Sequence, residues 1–131
     1  MSQECVNIVI LGGSFAGLSV AHGFLQNTLP NLGTTGAAPK YRVVIVSPST
    51  HLYWNIGAPR AIVAPELVPL SASFVSVVDG FKRYPKNIFT FVQGTAIAVD
   101  TAQRMVTVAP ASPEDISATT SKPSRWSNAS G

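Results

Sequence analysis

The chain has 131 residues, of which 46% are hydrophobic and 11% are charged. This length fits one domain, and this composition can bury a core, so a globally disordered chain is excluded. The net charge of +3 is scattered along the sequence, which argues against a nucleic-acid partner. The single cysteine excludes an internal disulfide, and the first basic residue, Lys40, comes too late for a targeting signal. We therefore expect a cytoplasmic protein.

The first half of the chain predicts a strand, a helix and a second strand. Residues 6–11 are apolar and β-branched and precede two glycines, which indicates a buried strand. From residue 16, apolar side chains recur at helical spacing until Pro30, which should end the helix. Residues 31–39 have the composition of a surface loop, and residues 41–46 predict the second strand. This order implies a crossover between two parallel strands.

The second half of the chain predicts shorter elements. In chain order they are a short helix at 60–63, a longer helix at 71–84, a strand at 88–92, and a hairpin of 95–99 with 104–108 that turns at 100–103. Beyond residue 108 the composition shifts to Ser, Thr, Pro and Ala without a period, so residues 109–131 predict a disordered tail. The sequence thus predicts an α/β fold with parallel strands plus a β-hairpin.

The strongest chemical signal is a glycine-rich turn between the first strand and the helix. It consists of Gly12, Gly13, Ser14, Phe15, Ala16 and Gly17. In a dinucleotide-binding turn, the first glycine makes the tight turn, the second admits the pyrophosphate, and the third lets the helix pack closely. Gly12 and Gly17 fill the first and third roles, and Ser14 stands at the second. Phosphate would bind the amides at the positive end of the helix, whereas a tight turn without a ligand is the alternative.

The residue that follows the second strand departs from the usual pattern. An acidic residue there normally binds a ribose hydroxyl, roughly 20 residues after the motif. In this chain Ser47 stands in that place, and the 31–39 loop puts it farther from Gly17 than usual. Its hydroxyl can offer the ribose a neutral hydrogen bond.

Four segments together resemble the AMID-like proteins, which are apoptosis-inducing-factor homologues related to type II NADH dehydrogenases. The segments are residues 12–18, 43–48, 53–61 and 91–96, and the most specific of them contains Asn55-Ile56-Gly57-Ala58-Pro59-Arg60. The resemblance covers residues 6–108. It implies that residues 1–108 form an incomplete FAD-binding domain with a Rossmann-type fold.

The resemblance also implies a chemistry and a set of contacts. Proteins of this class hold FAD without a covalent bond, take hydride from NADH or NADPH, and pass electrons to a quinone-like acceptor or oxygen. Several associate peripherally with membranes, and the mitochondrion is one location that this implies. By position, the glycine turn would surround the FAD pyrophosphate and Ser47 would lie near the adenosine ribose. Pro59 and Arg60 would lie toward the flavin, and Thr95 and Ala96 would meet the adenine through backbone groups.

Parts of the class pattern are missing from the sequence. After residue 108 there is no Ala-Thr-Gly strand end, no NAD(P)H domain and no closing Gly-Asp contact to the flavin. No metal-ligand set and no constellation of general acid, base or nucleophile is visible. A plainer alternative makes Arg60 a surface helix residue and Thr95 and Ala96 ordinary hairpin residues.

Two functional hypotheses therefore stay open. The first is a flavin-dependent oxidoreductase truncated before its NAD(P)H domain. The second is a non-catalytic nucleotide-binding or interaction remnant of the same fold. A short dehydrogenase that binds NAD directly is disfavoured, because no tyrosine is followed four residues later by lysine.

Overall fold

The fold is an α/β arrangement around one mixed sheet. The computed structural model describes residues 5–32, 40–110 and 124–127, the last of these by backbone only. The described strands are β1 Cys5–Leu11, β2 Lys40–Ser47, β3 His51–Tyr53, β4 Phe74–Ser76, β5 Phe89–Asp100, β6 Met105–Pro110 and β7 Ser124–Ser127. The described α-helices are α1 Phe15–Gly23, α2 Leu29–Leu32, α3 Ala58–Val63 and α4 Val77–Gly80.

The main sheet has the order β1-β2-β5-β6-β7, and strand β2 is the middle one of its three parallel strands. It pairs in parallel with β1 on one side and with β5 on the other. Residues 43–46 are at most 2% exposed, as expected for a parallel strand that is covered on both faces. The predicted strands at 6–11 and 41–46 and their parallel pairing are confirmed.

The two faces of β2 are covered by different parts of the chain. Val43 and Ile45 pack against α1 and α4. Val44 and Val46 point to the opposite face, where they pack against Val108 of β6. Because β6 follows β5 in an antiparallel hairpin, the sheet curls so that the hairpin covers the face that α1 leaves open. The core therefore has two layers, one on each face of β2.

The helix after β1 does not end at Pro30 as predicted. α1 is followed by a π-helical segment, Phe24–Thr28, and then by α2, which contains Pro30. The amide of Leu29 bonds the carbonyl of Phe24, which is the wider i→i+5 pattern. Proline has no amide hydrogen and its ring clashes with the carbonyl four residues earlier. The wider turn makes room for the ring, so the helix continues to Leu32, and residues 33–39 of the predicted loop lie outside the described residues.

The predicted helix at 71–84 is wrong. The structure instead has a 3-10 helix Leu70–Ser73, then β4, then α4. Apolar spacing suggested one helix, but β4 pairs antiparallel with β3, and the rings of Tyr53 and Phe74 lie 5.3 Å apart. Ser76 then starts α4 by accepting a hydrogen bond from the amide of Asp79. Cross-strand pairing therefore overrides helical propensity in this segment.

The short helix predicted at 60–63 is present but begins earlier. α3 starts at Ala58, which places Pro59 in the first helical turn. Proline is favoured there because its missing amide hydrogen would have no partner inside the helix. Helix α3 belongs to residues 48–88, the segment between β2 and β5, which we call the insertion.

The predicted hairpin is confirmed, with longer strands. The strands predicted at 88–92 and 95–99 are one strand, β5, with a register shift between Ala96 and Ala98. The turn at 100–103 is closed by the Asp100 carboxylate, which accepts a hydrogen bond from the amide of Gln103. β5 thus joins the parallel part of the sheet to its antiparallel part.

The predicted tail at 109–131 differs from the structure where the chain is described. Residues 109 and 110 extend β6, and β7 pairs antiparallel with β6. The open edge of β6 offers backbone groups for this pairing, whatever the composition of the added strand. Residues 111–123 and 128–131 lie outside the described residues.

An aromatic cluster lies where α1 meets the end of the insertion. The His22 ring stacks on Phe81 with centroids 4.1 Å apart, and Phe81 stacks on Phe89 at 4.2 Å. Nδ1 of His22 lies 3.0 Å from the Tyr84 hydroxyl. Burial, and then the charge of Arg83, lower the pKa of His22 from its ordinary value of 6.5. The fold therefore favours the neutral imidazole.

This cluster predicts a loss of stability in mild acid. The pKa of His22 is lower in the folded chain than in the unfolded chain. The neutral imidazole therefore contributes fully to the free energy of unfolding above pH 6.5, and this contribution is lost as the pH falls through the lowered pKa. Thermal unfolding measured at about pH 7.5 and about pH 5 should show a smaller drop for His22→Phe than for wild type. The phenylalanine keeps a ring on Phe81 but does not titrate. Equal drops in the two proteins would contradict this assignment.

Candidate functional site

The glycine turn, residues 12–17, connects the carboxyl end of β1 to α1. Gly12 has a φ of +113°, a backbone conformation that favours glycine, and its amide donates to the carbonyl of Val46 at 2.8 Å. A Cβ at Gly17 would collide with the carbonyl oxygen of Gly12 and lie 3.3 Å from Cγ2 of Ile10. Two glycines are thus required, one for the turn and one for the approach of the helix to the strand.

The first turn of α1 presents amide groups that no other described residue uses. The first helical hydrogen bond runs from the amide of Leu18 to the carbonyl of Ser14, at 2.9 Å. Ser14 is the N-cap residue, but its side chain makes no capping hydrogen bond. The amides before Leu18 therefore lack intrahelical partners, and Ser14, Phe15 and Ala16 are exposed. An anion can approach this end of the helix.

Ser47 lies beside the glycine turn. It ends β2 on the same face as Val43 and Ile45, which is the face that carries α1. A Cβ added at Gly13 would lie 2.9 Å from both Cβ and Oγ of Ser47. The absence of a side chain at Gly13 thus makes room for the Ser47 side chain.

The Ser47 hydroxyl has no hydrogen-bond partner among the described residues, although Ser47 is only 5% exposed. Hydroxyls that are almost buried normally have a partner. The Oγ atom of Ser73, by contrast, is fully enclosed and also has no partner in the described part of the chain. Because Ser47 Oγ is not enclosed in that way, a ligand atom at the glycine turn can reach it.

Thr95 and Ala96 lie at the same edge of the sheet. In the β2–β5 register, Ser47 is opposite Gln93, so Thr95 and Ala96 continue β5 past the end of β2. The carboxyl ends of β1 and β2 and this part of β5 therefore form one border, which we call the carboxyl edge. Adjacent strands lie about 4.8 Å apart, so the ends of β1 and β2 and this part of β5 are close neighbours along the edge.

Gln93 was not identified from the sequence. Its side chain shares the face of Phe89 and Phe91, and its Nε2 donates to the carbonyl of Pro48 at 3.4 Å. The period-2 pattern Phe89, Phe91, Gln93 could have revealed it, because a polar residue there ends an apolar stripe. Its position opposite Ser47 puts a second neutral polar group at the carboxyl edge.

Pro59 and Arg60 are held by a different part of the chain. They lie on the exposed side of α3, whose buried residues are Ala58 and Ala61. Helix α3 packs mainly against the 3-10 helix Leu70–Ser73. The carboxyl edge thus brings together the glycine turn, Ser47, Thr95 and Ala96, whereas Pro59 and Arg60 belong to the insertion.

The carboxyl edge is electrically neutral. Residues 12–17, 47–51 and 93–96 contain no Asp, Glu, Lys or Arg. Across the part of the chain that the structure describes, no group of three or more His, Cys, Asp or Glu side chains could hold a metal ion. None of the helices in these residues has the length and hydrophobicity of a membrane span.

Comparison with known proteins points to redox enzymes. Oxidoreductase ptaL of Pestalotiopsis fici is 42% identical over 102 residues, which are 78% of this chain and 26% of that protein. Oxidoreductase phnG of Penicillium herquei is 37% identical over 102 residues, or 78% of this chain and 24% of that protein. The chain is homologous to oxidoreductases. It spans about a quarter of the length of these curated relatives, and no protein-family model matches it.

Two glycines of α1 give a matched test of the turn geometry. Gly17→Ala should destabilise the fold by about 1–3 kcal/mol, because the new Cβ overlaps the Gly12 carbonyl. Gly23→Ala places its Cβ in open space at a helical position, and should stabilise the fold by about 0.5–1 kcal/mol. Urea unfolding of the two variants should therefore shift in opposite directions. A Gly17→Ala variant as stable as wild type would show that α1 is not held by this contact.

Proposed function

We propose that this chain is the FAD-binding part of a flavin-dependent NAD(P)H oxidoreductase of the AMID-like class. The observation that carries the proposal is the open amide end of α1 next to an almost buried Ser47 hydroxyl, which has no hydrogen-bond partner among the described residues. Groups of this kind are satisfied by the pyrophosphate and ribose of a dinucleotide. The oxidoreductase names of the homologous proteins support the redox part of the proposal.

The strand order supports a dinucleotide fold. In that fold the strands run 3-2-1-4-5-6, and the nucleotide lies across the carboxyl ends near the first strand. The parallel strands here have the order β5-β2-β1, which corresponds to the 3-2-1 half. Within the described residues, β1 pairs only with β2, so its other edge is available for further parallel strands.

Different residues would contact different parts of the cofactor. The amides of the glycine turn would hold the pyrophosphate, and Ser47 would contact the adenosine ribose. Thr95 and Ala96 would border the adenine, while Pro59 and the positive charge of Arg60 would lie toward the flavin. Bound FAD would accept hydride from NAD(P)H and pass electrons to a quinone-like acceptor or oxygen. Peripheral membrane association belongs to the same proposal.

A second function is favoured by the surface of the insertion. Ile56, Ile62, Val63 and Leu67 are each at least 70% exposed. Residues 51–78 contain two charged side chains, Arg60 and Glu66. The surface around the four exposed residues therefore carries little charge. Exposed apolar side chains that lie together can mark an interaction site. The alternative function is therefore a non-catalytic interaction module that retains the nucleotide fold.

Flavin titration separates the two functions. Residues 1–131 should bind FAD weakly and riboflavin at least about tenfold more weakly, because the chain contacts the pyrophosphate and adenosine that riboflavin lacks. With NADH and a quinone added, NADH absorbance should fall no faster than with free FAD. Hydride transfer depends on holding nicotinamide against flavin, which contributes roughly 7–11 kcal/mol.

Three outcomes of these measurements would count against the proposed function. Equal binding of FAD and riboflavin would contradict a site built for the pyrophosphate. Failure to bind either compound would favour the interaction module. NADH oxidation well above that of free flavin would show that the chain is a complete enzyme by itself, and would contradict the proposal that it is one part of such an enzyme.

A further inference from the structure

We infer that Ser47 and Gln93 form one uncharged contact to the ribose of the bound nucleotide, in place of the usual carboxylate. The inference rests on the proposed function, because it concerns the same nucleotide site. It adds Gln93 as a specificity-determining residue and assigns the ribose as its ligand group.

The register of the sheet brings the two side chains together. Ser47 and Gln93 are directly opposite each other on β2 and β5. Both lie on the face that carries α1, since they continue the alternation of Ile45 and Phe91, which pack under that helix. Neighbouring strands lie about 4.8 Å apart, so side chains at paired positions on the same face are neighbours. The pair thus borders the glycine turn on the side of β2.

The hydrogen-bonding capacity of the pair is mostly unused. The Ser47 hydroxyl has no hydrogen-bond partner in the described residues, although only 5% of the residue is exposed. Gln93 uses its Nε2 for one long hydrogen bond of 3.4 Å to the Pro48 carbonyl, and its amide oxygen accepts none within the described residues. A hydroxyl and an amide together offer donors and acceptors, which is what a ribose diol requires.

The absence of charge at the carboxyl edge determines the specificity of this contact. A carboxylate at the end of the second strand accepts from the ribose hydroxyls and repels a 2′-phosphate. No acidic residue occurs in residues 12–17, 47–51 or 93–96, so neither interaction is available from those segments. The Ser47–Gln93 pair therefore recognises the diol by neutral hydrogen bonds, and it does not repel a phosphorylated ribose.

The test pairs side-chain removal with hydroxyl removal from the ligand. ADP and 2′,3′-dideoxy-ADP are titrated into the full chain by calorimetry or NMR. Ser47→Ala and Gln93→Ala should each weaken ADP binding about three- to tenfold, which is the usual size of a neutral hydrogen bond. Neither substitution should change the binding of dideoxy-ADP. Ser71→Ala and Gln103→Ala, at exposed positions outside the carboxyl edge, are the matched controls and should leave both ligands unaffected.

A second variant tests ligand specificity, which would not change if Ser47 had only a structural role. Ser47→Glu restores the carboxylate, so the affinity ratio of ADP to 2′-phospho-ADP should rise at least about tenfold over wild type, since like charges repel. Thermal unfolding of each variant shows whether it is folded.

The outcomes distinguish this inference from the function on which it rests. If wild type binds ADP and dideoxy-ADP equally, or if Ser47→Glu leaves the ratio unchanged, the ribose contact is overturned and the nucleotide site is retained. If wild type binds no ADP at all, the proposed function fails and the inference fails with it.

Discussion

The approach of Gly17 to the carbonyl oxygen of Gly12 is the contact on which the rest of the structure depends. It allows α1 to lie directly on β1 and β2, so Ala21 and Leu25 can cover Val43 and Ile45. It also aims the first turn of the helix at the carboxyl edge, where the backbone turns at Gly12. Core packing and the candidate site are thus two results of one close contact, because any side chain at residue 17 would lift the helix from the strand.

The parts of the fold that the sequence predicts are those with a strong local signal. The apolar runs of β1 and β2, the glycines between them and the 100–103 turn all follow from residue type and spacing. The insertion could not be predicted in the same way. Its β3–β4 pairing joins residues that are far apart in the sequence, and Phe74 has a side chain that fits either a helix or a strand. The π-helical segment before Pro30 accommodates a residue that normally ends a helix, and the apolar spacing gives no sign of it.

The candidate site likewise has residues that a local signal predicts and residues that it does not. The glycine turn and Ser47 were predicted because a motif fixes their positions, and the structure places them together at the carboxyl edge. Gln93 was missed because its position opposite Ser47 comes from the β2–β5 register, which no local pattern gives. Arg60 was predicted from the resemblance alone, and the structure places it on the insertion. Motifs therefore predicted the backbone part of the site, whereas sheet pairing determined its side-chain neighbours.

The central claim is that a nucleotide binds across the amide end of α1, and amide NMR tests it most directly. Spectra of the ¹⁵N-labelled chain are recorded as ADP is added, and the resonances that move are assigned. The account predicts that the largest shifts belong to the amides of residues 12–17, followed by those of Ser47 and Gln93. Shifts concentrated in the insertion or at the 100–103 turn, with the glycine turn unmoved, would contradict it.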